Sequence, residues 1–191
     1  LAGGQAIQGG INVHGWLGIE DGGIESNGRT WNLSANIGPS EDDITSDLYY
    51  VGGSGSWPVN MGFPLVVDGT SYSVVYLHSN GGLLCEDATL SAIFGTSIPT
   101  PSIPACAVLA YLDELSSTIY AGTLGTAPNR VFTAYWDAES HPGGYDIDFS
   151  IQIHEESGLI NVKYHNVTYE MRGGGATIGF QQNPSRAYAI G

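Results

Sequence analysis

The feature that most constrains the fold is an alternating stretch late in the chain, DIDFSIQIH at residues 146–154. Its apolar residues occupy every second position, which is the pattern of a half-buried β-strand with one face toward water. The letters EESG then turn the chain, and LINVKYH repeats the alternation at residues 159–165. Two alternating stretches joined by a short turn predict a β-hairpin, and a hairpin needs a sheet to cover its apolar face.

Further strand-like stretches supply that sheet. They are rich in β-branched and aromatic residues, as in SYSVVYLHS (71–79), ACAVLAYL (105–112) and RVFTAYW (130–136). No stretch carries helical periodicity over three turns, and hydrophobic residues make up 42% of the chain, enough for a core. The sequence therefore predicts an all-β fold, an antiparallel β-sandwich or a jelly-roll-like variant of one.

The first part of the chain differs in composition from the rest. Residues 1–60 are rich in glycine, and VGGSGSWPVN at residues 51–60 has the composition of a linker. We expect a Gly-rich N-terminal arm or partial extra layer at 1–60 and the β-sandwich domain at 61–191. The arm could donate a strand to a neighbour's sheet edge or pair within its own domain. Its candidate assembly residues are Ile7, Ile11, Val13, Trp16, Leu17 and Ile19.

The charge of the chain limits its partners. Nineteen acidic residues face five basic ones, for a formal net charge of −14. Such a surface repels phosphate backbones and anionic lipid headgroups, so we expect no nucleic-acid binding. The chain also lacks an apolar run of about 18 residues, so we expect no membrane insertion.

The two cysteines, Cys85 and Cys106, have no metal-type spacing between them. An even count of this kind favours one disulfide and an oxidising compartment, whereas two buried free thiols are the alternative. Asn32 and Asn166 begin the sequons NLS and NVT, which are glycosylation sites only in a secreted protein.

A second stretch, YLHSNGGLLCED at residues 76–87, collects the residue types that catalysis uses. In a strand, however, His78 and Ser79 point to opposite faces, so they cannot act as a base and its nucleophile. The letters SNGG favour a hairpin turn, and no G-x-S-x-G elbow exists. Acid pairs in loops, such as Asp113 with Glu114, are usually only solvated. We expect no catalytic residues and no enzyme activity.

The loop DAESHPGGYDID offers the best candidates for a metal ion, because calcium prefers oxygen-rich loops. No calcium-loop motif is present. Asp146 and Asp148 are already explained by the solvent-facing side of the predicted strand. We expect no cofactor, with calcium as the alternative. The calcium candidates are Asp137, Glu139, Asp146 and Asp148.

The ordered set of motifs resembles nidogen-like (NIDO-type) β-sandwich modules. SNG (79–81) is followed by a strand closing on Asp113 and Glu114, by TAPNR (126–130) leading to Trp136, by EESGLI (155–160) and by ATIG (176–179). The match covers residues 62–182. It departs at Leu112, where an aromatic residue is common in the family. Such modules occur in bacterial surface and secreted proteins, and similar ones in phage virion proteins.

The resemblance implies a non-enzymatic extracellular protein on a cell surface, in a filament or on a virus particle. We expect a structural subunit that assembles with itself, or with other surface or virion proteins, through sheet edges and the arm. The alternative is a carbohydrate- or protein-binding adhesion module of a larger secreted protein. Fold analogy alone does not decide between them.

Overall fold

The structure, a computed structural model, contains fourteen strands and one short helical turn in its described residues. It describes the backbone of residues 11–14, 24–26, 29–31, 44–88, 97–167 and 175–190, and the side chains of 46–88, 97–165 and 175–189. The elements in chain order are β1 (Ile11–His14), β2 (Ile24–Ser26), β3 (Arg29–Trp31), a 3-10 turn (Ile44–Asp47), β4 (Tyr49–Gly52), β5 (Ser56–Val67), β6 (Thr70–His78), β7 (Gly82–Leu84), β8 (Ala107–Leu112), β9 (Leu115–Leu124), β10 (Val131–Ser140), β11 (Ile147–His154), β12 (Ile160–Val167), β13 (Thr177–Asn183) and β14 (Arg186–Ile190).

Two six-stranded sheets form the two layers of a β-sandwich. The first sheet has the strand order β1-β12-β11-β10-β9-β4, and the second has the order β14-β13-β8-β7-β6-β5. Their strands pair antiparallel, except that β1 runs parallel to β12. Strands β2 and β3 form a separate two-stranded hairpin. The predicted all-β antiparallel sandwich is confirmed, and so is the hairpin of β11 and β12.

The core lies between the two sheets and is built from alternate residues of their strands. Trp136 of β10 is fully buried and stacks on Phe149 of β11, with ring centroids 5.2 Å apart. Its indole N–H donates a hydrogen bond of 2.9 Å to the carbonyl oxygen of His78 in the opposite sheet. A buried indole needs such a partner, and here the partner ties one layer to the other.

The linker composition of residues 51–60 predicts a connector, and that prediction is wrong for residues 56–60, which begin β5 (Ser56–Val67), the longest described strand of the sandwich. The alternation is strict in β5, because its inward residues are all buried and the intervening ones are exposed. Gly62 and two prolines mask this period-two pattern in the sequence. Strands β4 and β5 thus begin before the boundary at residue 60, which stays a prediction. The inward residues of β5 are Val59, Met61, Phe63, Leu65 and Val67.

A second, smaller core lies on the outer face of the second sheet. There the chain before Cys106 folds back over buried leucines of β7 and β8 and contributes Ile103. The Gln181 amide fixes this segment, because its oxygen accepts the Thr100 N–H at 2.9 Å and its nitrogen donates to the Thr100 carbonyl at 3.0 Å. The predicted Cys85–Cys106 disulfide is present and closes the segment at its base.

We expect the Cys85→Ser variant to lose roughly 3 kcal/mol of unfolding free energy, because the disulfide closes a long loop. For a chain of this size that corresponds to a melting temperature lower by about 6–12 °C. Scanning calorimetry of oxidised wild type and variant measures the difference, and wild type in reductant is the matched control. Equal melting temperatures for the oxidised wild type and the variant would contradict a stabilising role.

Candidate functional site

The polar cluster at residues 78–81 holds the fold together at the turn between β6 and β7. The ring Nδ1 of His78 accepts the Asn80 amide N–H at 3.1 Å. The Ser79 hydroxyl oxygen accepts the Gly55 N–H at 3.1 Å, and the Ser79 carbonyl accepts the Ser117 hydroxyl at 2.8 Å. All three turn residues are buried. These contacts fix the His78 ring within its own turn and tie Ser79 to the β4–β5 connection and to β9.

Gly81 completes this turn in a conformation that side chains rarely adopt. Its φ is +88°, and a Cβ placed there would lie 2.1 Å from the Tyr111 carbonyl oxygen. The Gly81 carbonyl in turn accepts the N–H groups of Ala110 and Tyr111 at 3.1 and 3.3 Å. The sequence SNGG is therefore set by close packing of the turn against β8.

Two other residues of the family-like motifs form an ion pair. Arg130, before β10, donates from Nε and Nη2 to the Glu155 carboxylate at 2.8 and 2.5 Å, and from Nη1 to the Gly62 carbonyl at 2.8 Å. The hydrogen bond from Arg130 holds the pKa of the Glu155 carboxyl below its ordinary value. The pair thus joins the β9–β10 and β11–β12 turns to β5.

The acidic candidates lie where the central strands β10 and β11 of the first sheet meet their connecting loop. The backbones of Glu139 and Asp146 form an isolated antiparallel β-bridge. The Asp148 carboxylate accepts the Ala138 N–H at 3.4 Å. Asp137 and Glu139 alternate with buried residues of β10 and are both exposed on its outer side. In the part of the chain that is described, no group of three or more His, Cys, Asp or Glu side chains is arranged to hold a metal ion. Calcium at these acids stays a prediction.

Asp113 and Glu114, the other acid pair, lie in the turn between β8 and β9. Asp113 Oδ1 accepts the Glu114 N–H at 2.8 Å, and the Glu114 carboxylate is 3.4 Å from His141 Nδ1. The Glu114 and His141 side chains are more than half exposed. This arrangement links the β8–β9 turn to the β10–β11 loop across the surface.

A row of aromatic rings crosses the outer face of the first sheet. We call it the tyrosine row: Tyr50 of β4, Tyr120 of β9, Tyr135 of β10 and His165 of β12. Successive ring centroids are 6.2, 6.3 and 5.6 Å apart, and the rings are tilted to one another. Tyr50 is 64% exposed, and the other three are half-buried. The row is a continuous aromatic surface that reaches from one sheet edge to the fifth strand in from it.

Sequence reasoning missed the tyrosine row, although part of its signal was present. Tyr120 lies between buried Ile119 and Ala121, and Tyr135 lies between buried Ala134 and Trp136. Alternation alone therefore places both tyrosines on the outer face. That they are directly opposite each other depends on the strand register, which pairs Tyr135 with Tyr120 and Tyr120 with Tyr50.

Polar side chains continue this outer face beyond the row. The Ser150 hydroxyl and His165 Nε2 are 2.9 Å apart, and Asn161 Nδ2 is 2.9 Å from His154 Nε2. Burial, together with the Lys163 charge, lowers the pKa of His154, so its ring is neutral at pH 7. Asn161 is only 9% exposed, and among the described residues its buried Oδ1 has no hydrogen-bond partner. An unpaired buried acceptor is costly to the fold.

The candidate assembly residues and sequons fall partly outside the described residues. Ile11 and Val13 lie in β1 and pair in register with Ile160 and Val162 of β12. Asn166 lies in β12, but its side chain is outside the description. The candidates that lie wholly outside the described residues are Ile7, Trp16, Leu17, Ile19 and Asn32.

Comparison with known proteins assigns the family. A family model described as NIDO related matches residues 43–190, which is most of the chain. The chain therefore belongs to the NIDO-related family, and the resemblance inferred from its motifs is confirmed. Searches of curated proteins and of solved structures found no match.

Family membership and the Cys85–Cys106 disulfide together indicate an extracellular module. No helix among the described residues is long and apolar enough to cross a membrane. The extracellular location that the family and the disulfide indicate agrees with the sequence-based expectation, and the choice between cell surface and virus surface stays a prediction.

We expect acid to destabilise the fold through His78, because burial lowers the pKa of its ring. Near pH 7 the ring is neutral in both states. As the pH falls below the ordinary histidine pKa of about 6.5, the unfolded chain binds a proton that the folded chain resists, so stability is lost.

Urea unfolding of wild type and His78→Gln at pH 7.5 and 5.0 measures this effect. The variant should lose less stability than wild type between the two pH values, whatever its absolute stability. His141→Gln is the matched control, because His141 is exposed. An equal loss of unfolding free energy in wild type and in His78→Gln would show that His78 does not cause the acid destabilisation.

Proposed function

We propose that this chain is a non-enzymatic adhesion module that binds carbohydrate on the outer face of its first sheet. The observation that carries the proposal is the tyrosine row from Tyr50 to His165. Tyrosine rings combine an apolar face with a polar hydroxyl, which suits the apolar face and hydroxyl rim of a sugar ring. Rows of rings also lose little side-chain entropy when they are held by neighbours in a sheet.

The two outer faces of the sandwich differ, and the difference supports this choice of surface. The outer face of the second sheet is covered by the segment before Cys106, which Gln181 and the disulfide hold down. Among the described residues, no comparable segment packs over the tyrosine row. Tyr50, at the sheet-edge end of the row, is the most exposed of the four rings, and a ligand would give its position a use.

The proposed function includes no catalysis, because the reactive side chains already have structural partners. His78 and Ser79 accept backbone N–H groups within a buried turn, and the cysteines are bonded to each other. Glu155 is paired with Arg130, and Glu114 faces His141 in an exposed turn. None of these residues stands beside a second group as a nucleophile does beside its base. Ser150 does lie 2.9 Å from His165 Nε2, but its side chain is fully buried, so a substrate does not reach it.

We expect Tyr50→Ala to weaken glycan binding roughly tenfold, because it removes the most exposed ring of the row. Tyr49→Ala is a matched control, since Tyr49 is the neighbouring residue, is 54% exposed and lies on the opposite side of β4. Binding of both variants and wild type to a printed glycan array, followed by titration with the glycans that bind, provides the measurement. Equal weakening by the two substitutions would contradict the proposed surface, and so would a wild type that binds no glycan.

A second candidate function is assembly through the N-terminal arm. Strand β1 pairs within its own chain, as the alternative expectation had it, and this pairing is the one that an exchange between copies would use. Residues 11–14 precede the family-matched region, yet they add a parallel strand to the β12 edge of its sheet. This is the geometry of β-strand addition, and the same pairing can form with a strand from another copy. The arm would then join copies into a filament or shell.

Deletion of residues 1–20 separates the two functions. If the arm joins copies, the intact chain assembles in dilute solution, whereas the deletion variant is a folded monomer by light scattering and circular dichroism. Val13→Pro is a milder variant, because proline removes one amide N–H from β1. An intact chain that is monomeric, or a deletion variant that still assembles, would overturn the assembly function.

A further inference from the structure

We infer that the ligand at the exposed end of the tyrosine row is an oligosaccharide with a methyl-bearing group, namely the methyl of a deoxy sugar or an acetyl group. This inference rests on the proposed carbohydrate-binding function and concerns the chemistry of the bound sugar. Three features of the outer face carry it: the exposed ring of Tyr50, an apolar surface that continues from it along β9, and polar side chains on the other side of Tyr120.

The exposed end of the row consists of Tyr50 and Tyr120. The two residues pair in register, and their rings meet edge to face with centroids 6.2 Å apart. Tyr50 lies on the edge strand of the sheet and is 64% exposed. Its ring is therefore the one on which a sugar can stack.

Apolar side chains continue the outer face from this end along β9. Gly122 is two residues after Tyr120 and lies on the same face. Leu48 covers Gly122, because a Cβ placed on the glycine would lie 2.9 Å from Leu48 Cδ2. Leu124, two residues further along, is 45% exposed and pairs in register with half-buried Val131 of β10. We call Leu48, Leu124 and Val131 the apolar patch.

The apolar patch and the rings form one continuous surface. Tyr120 and Leu124 are four residues apart on β9, which is about 13 Å along a strand, and Leu48 lies between them. Single exposed leucines are ordinary on protein surfaces, but this one continues an exposed aromatic surface. The surface is longer than one sugar ring, so a ligand that stacks on Tyr50 reaches the patch with its next sugar.

The patch selects the chemistry of that next sugar. A hydroxyl group that is pressed against leucine loses its hydrogen bonds to water, whereas a methyl group gains free energy when leucine covers it. A methyl-bearing sugar therefore fits the apolar patch better than its fully hydroxylated counterpart.

Polar side chains lie on the other side of Tyr120. Thr118 is two residues before Tyr120 on β9 and pairs in register with Asp137 of β10. Thr118 is half-buried and Asp137 is exposed. The oxygens of both side chains accept hydrogen bonds from sugar hydroxyls. The ligand therefore needs hydroxyl groups on one side and an apolar group on the other, and a sugar with a methyl-bearing group has both.

The test measures, by titration calorimetry, the affinities of paired oligosaccharides that differ by one methyl-bearing group. One set of pairs compares deoxy with hydroxy forms and the other compares acetylated with unacetylated forms, which distinguishes the two sources of the methyl. We expect wild type to bind the methyl-bearing member of at least one set about fourfold more tightly for each methyl buried. In Leu124→Thr this preference should disappear, while binding of the unsubstituted member stays unchanged.

Val74→Thr is the matched control, because Val74 is 39% exposed on β6 of the second sheet, and its preference should equal that of wild type. Val131→Thr is a second test of the patch and should lower the preference, since Val131 lies opposite Leu124. Threonine suits a strand at each position, and the melting temperatures show whether the variants are folded.

The outcomes separate this inference from the proposed function. Equal affinity of wild type for both members of every pair, with loss of binding in Tyr50→Ala, would overturn the inference and leave carbohydrate binding intact. An unchanged preference in both Leu124→Thr and Val131→Thr would overturn the role of the patch. Self-association of wild type that Leu124→Thr abolishes would assign the patch to a second copy and also overturn the inference. Binding to no glycan, or binding that Tyr50→Ala leaves unchanged, would overturn the proposed function and the inference together.

Discussion

The structure depends on the burial of Trp136 between the two sheets. Its indole stacks on Phe149 within one sheet and donates to the His78 carbonyl in the other. Because that donor must be satisfied in the core, the contact holds His78 at the start of the SNGG turn, while packing against Tyr111 requires glycine at position 81. The orientation of Trp136 also decides what the neighbouring residues do. With Trp136 inward, Tyr135 and Asp137 point outward, so one buried side chain fixes both the core and the composition of the binding face.

The sandwich uses its two outer faces differently. On the second sheet, leucines of β7 and β8 point outward, and the disulfide-closed segment buries them in a second core. On the first sheet, most of the corresponding positions of β9 to β12 are aromatic or polar, as Tyr120, Tyr135 and Ser150 illustrate, with Leu124 as an exposed apolar exception. Leucine needs a cover, whereas tyrosine can remain half exposed and contact a ligand. The two outer faces therefore differ because their side chains differ in chemistry.

Local patterns predicted much of the fold, and pairing between distant segments explains most of what they missed. The alternation of β11 and β12 was strong enough to give the hairpin, and the isolated cysteine pair gave the disulfide. Strand β5 was missed because Gly62 and its prolines resemble a linker, although Val59 and every second residue after it are buried.

The predicted wet face of β11 was correct in orientation but only partly in exposure. Ser150 points outward and is nevertheless buried, because His165 of the next strand contacts it. The tyrosine row depends in the same way on the register between β4, β9 and β10. Composition and periodicity within one segment do not contain this register, since it arises from which strands become neighbours.

The edges of the sandwich limit how copies could join. Strand β5 is one of the two edges of the second sheet, opposite β14, and its Pro58 and Pro64 offer no N–H to an incoming strand. Strand β4 has four residues, a register shift after Tyr50, and Trp57 packed over Gly52. Addition of a strand at β4 or β5 is therefore disfavoured, and assembly through the first sheet is confined to the β12 edge that β1 occupies.

That edge is the opposite side of the sheet from Tyr50, because β1 and β4 are its two outermost strands. Arm exchange at β12 would leave the exposed end of the tyrosine row open to a ligand. The proposed adhesion and the proposed assembly would therefore use separate parts of one sheet, and neither would exclude the other. A chain that did both would present its binding faces in a repeated array, in which many weak glycan contacts act together and raise the avidity of the assembly above that of one module.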